Sequence, residues 1–160
     1  MTKNKRYTLF LLSPRQRYIN YPAHTYLAKM FGKKRFMVPL ALPTIAMLTP
    51  DHYNIHIYDE EIEDIPIHIK PDIVGITTLA ATANRAFELG DHFRKMGSIV
   101  VYGGPYASFQ AEKALAHGDS VVVGEAEEKW EKLLEDFEQG NLQPVYETNS
   151  YVDYKTQKPP

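Results

Sequence analysis

Apolar residues in this chain fall by turns into short continuous runs and into stripes with a helical period. The run "RYTLFLLS" (6–13) is closed by Ser13-Pro14. A run of that length without polar alternation suits a strand buried on both faces, and it predicts the first strand. "YNIHIYDE" (53–60) alternates, while "PDIVGITT" (71–78), "SIVVYGG" (98–104) and "DSVVVGE" (119–125) are again continuous, which brings the predicted strands to five. Between them, Leu79, Ala83, Ala86, Phe87, Leu89, Phe93 and Met96 follow the 3.6-residue period up to Gly97 and predict a helix over 79–96. "SFQAEKALAHG" (108–118) predicts a short helix with Ser108 as its cap and Gly118 as its stop. "EAEEKWEKLLEDFEQG" (125–140) sets Trp130, Leu133, Leu134 and Phe137 on one face behind an acidic first turn. In "PLALPTIAMLTP" (39–50), Leu40, Ile45 and Leu48 stand near helical spacing, and Pro43 limits the helix to a start or a kink. Residues 141–160 predict an exposed tail or linker.

Strands that alternate with helices, several of them nearly all Val and Ile, predict an α/β fold. The expected architecture is a five-stranded parallel sheet with helices on both faces, flavodoxin-like or Rossmann-like, in strand order 2-1-3-4-5. Ligands of such sheets lie beyond the carboxyl ends of the strands. That rule selects the loops that begin near Ser13, Thr77, Gly103 and Gly124.

Charge adds a feature that the pattern alone does not give. Residues 1–50 hold nine Lys or Arg and no Asp or Glu, so residues 51–160 hold the other nine basic residues and all twenty acidic ones. The stretch 14–38 lacks a clean period, interleaves its basic residues with Tyr18, Tyr21, Tyr26, Phe31 and Phe36, and reads as a loop insertion. Such a segment would attract phosphate, nucleic acid or an acidic protein surface; a solvated loop balancing an acidic body accounts for it equally well. With 160 residues there is room for one ordinary domain. The absence of cysteine excludes disulfides, thiolate metal sites, cysteine nucleophiles and cysteine-held iron–sulfur clusters within this chain. No apolar run approaches the roughly 20 residues of a membrane span, and the expected setting is cytoplasmic.

The chemistry at the strand ends is sparse. Thr77 and Thr78 can cap the following helix or hydrogen-bond a ligand. Gly103-Gly104 permits either a tight turn or the approach of a flat group to the backbone. Gly124-Glu125 repeats the pattern, with helix-start amides that favour an acceptor, although Glu125 serves equally as a helix-start acid. A flavin phosphate loop has no place in "SPRQRY", a phosphoacceptor site would need Asp where Thr77 stands, and the glycine fingerprints of dinucleotide and phosphate loops are absent. The six histidines have no metal-ligand spacing, so neither a catalytic residue nor a metal ligand is assigned.

Across residues 70–140, "VGITT", "GGPY" and "GEAEE" follow the third, fourth and fifth strands in order. In this arrangement the chain resembles the N-terminal cobalamin-binding domain of cobalamin-dependent radical S-adenosylmethionine enzymes, a family that includes the oxidative cyclase of magnesium-protoporphyrin monomethyl ester. The resemblance implies that the nucleotide tail of cobalamin threads into the crevice at the strand ends, with the corrin ring above it. It assigns Gly103, Gly104 and Pro105 to the face of the benzimidazole or ribose. Thr77 and Leu79 match "SxL"-type positions lining the tail, with Thr78 between them as a further contact, and Gly124 and Glu125 close its other side. Tyr106 stands where the family often has His, and Pro14 and Arg15 are the expected cofactor contacts after the first strand. The "DxHxxG" motif is missing there, so cobalamin would bind base-off, without a histidine from that motif.

Without cysteine the chain cannot act as the enzyme by itself. The resemblance places S-adenosylmethionine and a 4Fe-4S cluster in a missing C-terminal radical SAM domain, which would act on the small-molecule substrate by methyl transfer or oxidative cyclisation. Residues 1–140 are then the cobalamin-binding domain and 141–160 the linker toward the rest, with no membrane span and no nucleic acid expected as partner. The alternative is a non-catalytic binding or regulatory module whose basic N-terminal segment takes nucleic acid or an acidic protein.

Overall fold

The computed structural model of the protein describes residues 6–16, 30, 32 and 40–147. The basic segment 14–38 lies almost wholly outside them, and so do the readings that rest on it. Among these residues the elements run, in chain order, β1 (Tyr7–Ser13), α1 (Ala41–Leu48), β2 (Tyr53–Asp59), β3 (Ile73–Thr77), α2 (Ala83–Lys95), β4 (Ile99–Gly103), α3 (Pro105–Phe109), α4 (Ala111–His117), β5 (Ser120–Val123), α5 (Trp130–Gln139) and β6 (Val145–Glu147). The strands form one sheet in the order β2-β1-β3-β4-β5-β6, and every neighbouring pair is parallel.

The sheet therefore has six strands where the hydropathy pattern predicts five. Part of the stretch read as an exposed tail is the edge strand β6, with Val121 opposite Val145 and Val123 opposite Glu147. Three residues are too few to register as an apolar run. What holds them is tertiary: Tyr146 is buried, and its hydroxyl donates to Asp136 Oδ2 at 2.9 Å and accepts the Gln143 N–H at 3.0 Å.

Side chains alternate across the sheet. Phe10, Leu12, Val74, Ile76, Val100, Tyr102 and Val121 face one core with α2, α3 and α4. Leu9, Leu11, Ile73, Val101 and Val122 face the other with α1 and α5. Burying each such side chain stabilises the fold by roughly 1.5–3 kcal/mol, which explains why the strands are apolar on both faces.

The helices depart from their predicted bounds in ways that matter for the strand ends. In α1 the buried residues are Leu42 and Ile45, whereas Leu40 is 74% exposed and Leu48 42%. Pro43 falls in the first turn, where its missing N–H would have no helical partner. Residues Leu79–Thr82 form a turn ahead of α2, closed by the Thr82 N–H on Leu79 O at 3.0 Å and the Leu79 N–H on Thr82 Oγ1 at 3.1 Å. The predicted helix over 108–118 is two short helices broken at Gln110. Ser108 thus lies inside α3 and does not cap a helix. Residues 125–129 precede α5 instead of opening it. Among the described residues, no helix is long and apolar enough to cross a membrane.

Beyond β2, the buried carboxylate of Glu60 accepts from Arg85 at 2.6, 2.9 and 3.1 Å and from the Arg15 backbone N–H at 3.1 Å. Burial pushes this carboxyl up, but the hydrogen bonds and charge of Arg85 and the Arg15 N–H outweigh it and hold the group below its ordinary value. A depressed carboxyl contributes stability that is fully present above the unfolded pKa, about 4.3 for Glu, and is lost as the pH falls through the lower folded value. Urea unfolding at pH 7 and pH 3 is expected to show a larger acid-induced loss for the wild type than for Glu60→Gln. Equal losses in the two proteins would remove Glu60 from that role.

Candidate binding cleft at the strand ends

At the carboxyl ends of β3, β4 and β5 the α1/α5 side of the sheet opens into a cleft of about 380 Å³. Its floor is Leu11, Gly75, Val101 and Val122; Leu42 and Ile45 of α1 form one wall, and residues 124–127 with Trp130 form another. Thr77, Gly103, Gly104, Pro105 and Ser108 line the mouth. This volume falls within the range typical of small-molecule sites.

The two glycines of the β4–α3 turn differ in what requires them. Gly104 has φ +91°, and a Cβ there would sit 2.9 Å from Thr78 O and 3.0 Å from Thr78 N and Thr77 Oγ1. The crossing of the two loops demands glycine at that position. At Gly103 a Cβ would meet nothing within 4 Å, and its φ is not positive. Packing within the described residues gives no reason for glycine at 103, and the space it leaves belongs to the cleft. On the floor, a Cβ at Gly75 would lie 2.9 Å from Leu11 Cδ2 and 3.7 Å from Trp130 Cη2. This mid-strand glycine keeps the floor low.

Neighbouring threonines also divide their tasks. Thr78 is fully buried; its hydroxyl donates to Gly103 O at 2.8 Å and accepts the Ala107 N–H at 3.0 Å. The Thr78 N–H donates to Gly103 O at 2.8 Å, and the Tyr106 N–H donates to Thr78 O at 3.1 Å. Thr78 therefore builds the turn that carries Gly103. Thr77 is only half-buried and lines the cleft. Its hydroxyl makes no hydrogen bond among the described residues, so it can donate to or accept from a ligand.

Of the residues expected from sequence, the cleft brings together Thr77, Gly103, Gly104, Pro105, Gly124 and Glu125. Thr78, Leu79, Tyr106, Pro14 and Arg15 are not among its lining. Leu79 is 47% exposed in the turn before α2. Tyr106 packs toward Phe87, ring centroids 6.2 Å apart, and accepts from Lys113 Nζ at 3.3 Å, on the α2/α4 side. Pro14 is buried, and Arg15 points its guanidinium at Glu60, Nε to Oε1 3.7 Å. The pattern missed Gly75, Leu42, Ile45, Val122, Ser108 and Trp130. Only Gly75 carried a local signal, a glycine inside a strand.

Trp130 is the sole tryptophan of the chain and is 3% exposed. Its indole N–H donates to Thr49 Oγ1 at 2.8 Å, which in turn donates to Ile45 O at 2.8 Å. The pair ties α5 to α1 across the cleft and fixes its width there. Among the described residues no three His, Cys, Asp or Glu side chains cluster to hold a metal ion. The walls suit a flat, largely apolar group that carries a few hydrogen-bonding atoms, entering over Gly103 and beside the Thr77 hydroxyl.

The family model of the B12 binding domain matches residues 21–134. A bacteriochlorophyllide d C-8(2)-methyltransferase of Chlorobaculum tepidum is 40% identical over 121 residues, 75% of this chain and 27% of that protein. A bacteriochlorophyllide d C-12(1)-methyltransferase of the same organism is 32% identical over 125 residues, 77% of this chain and 27% of that protein. The chain thus spans about a quarter of the length of these curated relatives. Among solved structures, the N-terminal domain of a hypothetical protein of Thermotoga maritima shares 22% identity at a TM-score of 0.41, over 56% of this chain and 70% of that one. That likeness is too low to bear on fold or ligand.

Proposed function

Since the chain belongs to the B12 binding domain family, we propose that the cleft takes the nucleotide tail of cobalamin, with the corrin ring over its mouth. The observation that carries this reading is the open space at Gly103, a glycine that the surrounding packing does not need. The benzimidazole or ribose lies against the Gly103 backbone, the Thr77 hydroxyl hydrogen-bonds a tail oxygen or nitrogen, and Pro105, Gly124 and Glu125 border the entrance. Leu42, Ile45 and Trp130 supply the apolar walls, over a floor that includes Val122, that exclude water from the tail. Thr78 acts indirectly, by holding Gly103 in place. The segment after β1 reads "SPRQRYIN" and contains no histidine, so cobalamin would bind base-off, without a histidine from that segment. Cobalamin, when bound, supplies a cobalt centre for one-carbon transfer.

The chain's place is within a larger radical S-adenosylmethionine enzyme, a methyltransferase or cyclase, whose other part holds S-adenosylmethionine and a 4Fe-4S cluster. The names of the two relatives point to a tetrapyrrole as the substrate class and to methyl transfer as the reaction. Residues 6–147 contribute the binding and orientation of the cofactor, and a cytoplasmic setting suits a chain without cysteine.

Because Trp130 stands in the cleft wall, its emission reports on occupancy. Titration with hydroxocobalamin is expected to quench it saturably, after correction for absorption by the corrin. A linear, unsaturable decrease matching that of free tryptophan would count against the reading.

A further inference from the structure

Within the cleft lining, Ser108 has no part in the contacts proposed above, yet its hydroxyl joins the two glycine turns. Ser108 Oγ donates to Gly104 O at 3.1 Å and accepts the Gly124 N–H at 3.0 Å. Gly104 and Gly124 follow β4 and β5, and both have positive φ, +91° and +85°. Serine commonly bonds the carbonyl four residues back within a helix, which accounts for the contact to Gly104. It does not account for the contact to Gly124, which spans 16 residues and crosses from the β4 loop to the β5 loop.

We propose that Ser108 is a positioning residue that holds these two loops at the spacing the cobalamin tail requires. The inference rests on the reading of the cleft as the cobalamin site. Its physical basis is a relay: the hydroxyl is held on Gly104 O inside the first turn of α3, whose Ser108 N–H bonds the same carbonyl at 3.0 Å, and it accepts the Gly124 N–H from the other loop, so a relative shift of the two loops breaks that crossing bond. Alanine removes both bonds, and threonine retains the hydroxyl.

The test uses the chain as it stands, with Ser108→Ala and Ser108→Thr, hydroxocobalamin as probe, Trp130 emission as the binding signal, and amide hydrogen exchange at Gly124. Ser108→Ala is expected to melt within a few degrees of wild type, to exchange the Gly124 amide faster and to bind hydroxocobalamin about tenfold more weakly, the scale of one lost hydrogen bond. Ser108→Thr restores both the protection and the affinity. Wild-type affinity in Ser108→Ala, or a Thr variant as weak as the Ala variant, would overturn the proposal. If the wild type itself takes up no hydroxocobalamin, the cofactor reading fails on its own. The clamp is then judged by exchange alone, an unaltered Gly124 amide in Ser108→Ala overturning it.

Discussion

Replacing Gly103 by valine is expected to leave the domain folded and to abolish its uptake of cobalamin. The position ends β4 without a positive φ, and a Cβ there meets no atom within 4 Å. A β-branched residue suits a strand end, so unfolding free energy should change by no more than about 1 kcal/mol. The new methyl groups, however, occupy the space proposed for the flat end of the tail. The Cβ itself meets no neighbour, so the ligand is what the substitution is expected to displace. An affinity loss of at least about 100-fold is expected, read by Trp130 quenching alongside a thermal melt. A Gly103→Val protein that binds as tightly as wild type would place the tail elsewhere.

One residue further on, the same substitution should do the opposite kind of damage. Gly104 has φ +91° and ψ 173°, a region open essentially to glycine alone, and another residue held there costs of order 1–3 kcal/mol. A Cβ would also press on Thr78 O and N at 2.9 and 3.0 Å, and these backbone atoms cannot swing aside as the end of a side chain can. Overpacking of this kind adds roughly 1–3 kcal/mol. Gly104→Val is therefore expected to lose about 2–6 kcal/mol of stability and to lower the melting temperature by roughly 10 °C. A variant that melts within about 2 °C of wild type would show that the two loops yield more easily than their geometry implies. Together the two glycines separate a role in the turn from a role toward the ligand.

That separation marks the limit of what the amino-acid sequence displays. The α/β class and the parallel sheet follow from continuous Val and Ile runs between amphipathic stripes, because a run buried on both faces has few other places to go, and the order of the first five strands comes with the flavodoxin-like fold assigned to that pattern. The rule that ligands lie beyond carboxyl strand ends found the cleft, and six of the expected residues do line it. Adjacent residues with the same chemistry are where the sequence falls short. Thr77 and Thr78 are equivalent as letters, yet one ends a strand and lines the cleft while the other turns into the fold to bond Gly103 O and the Ala107 N–H. The contributions of Leu42, Trp130 and Ser108 depend on where helices far apart in the chain come to rest. The Gly124 N–H on Ser108 Oγ and the Trp130 N–H on Thr49 Oγ1 have no signature in local spacing. Strand β6 has no apolar run for a related reason: its three residues are held by the bond of the Tyr146 hydroxyl to Asp136 and by pairing with β5 more than by their own hydrophobicity.

The most direct measurement is retention of the cofactor. The purified chain is incubated with hydroxocobalamin, desalted, and the visible spectrum of the protein fraction is recorded together with its circular dichroism. Close to one corrin per chain is expected, with the spectrum shifted toward the form whose benzimidazole is detached. A folded protein fraction that emerges without corrin would contradict it.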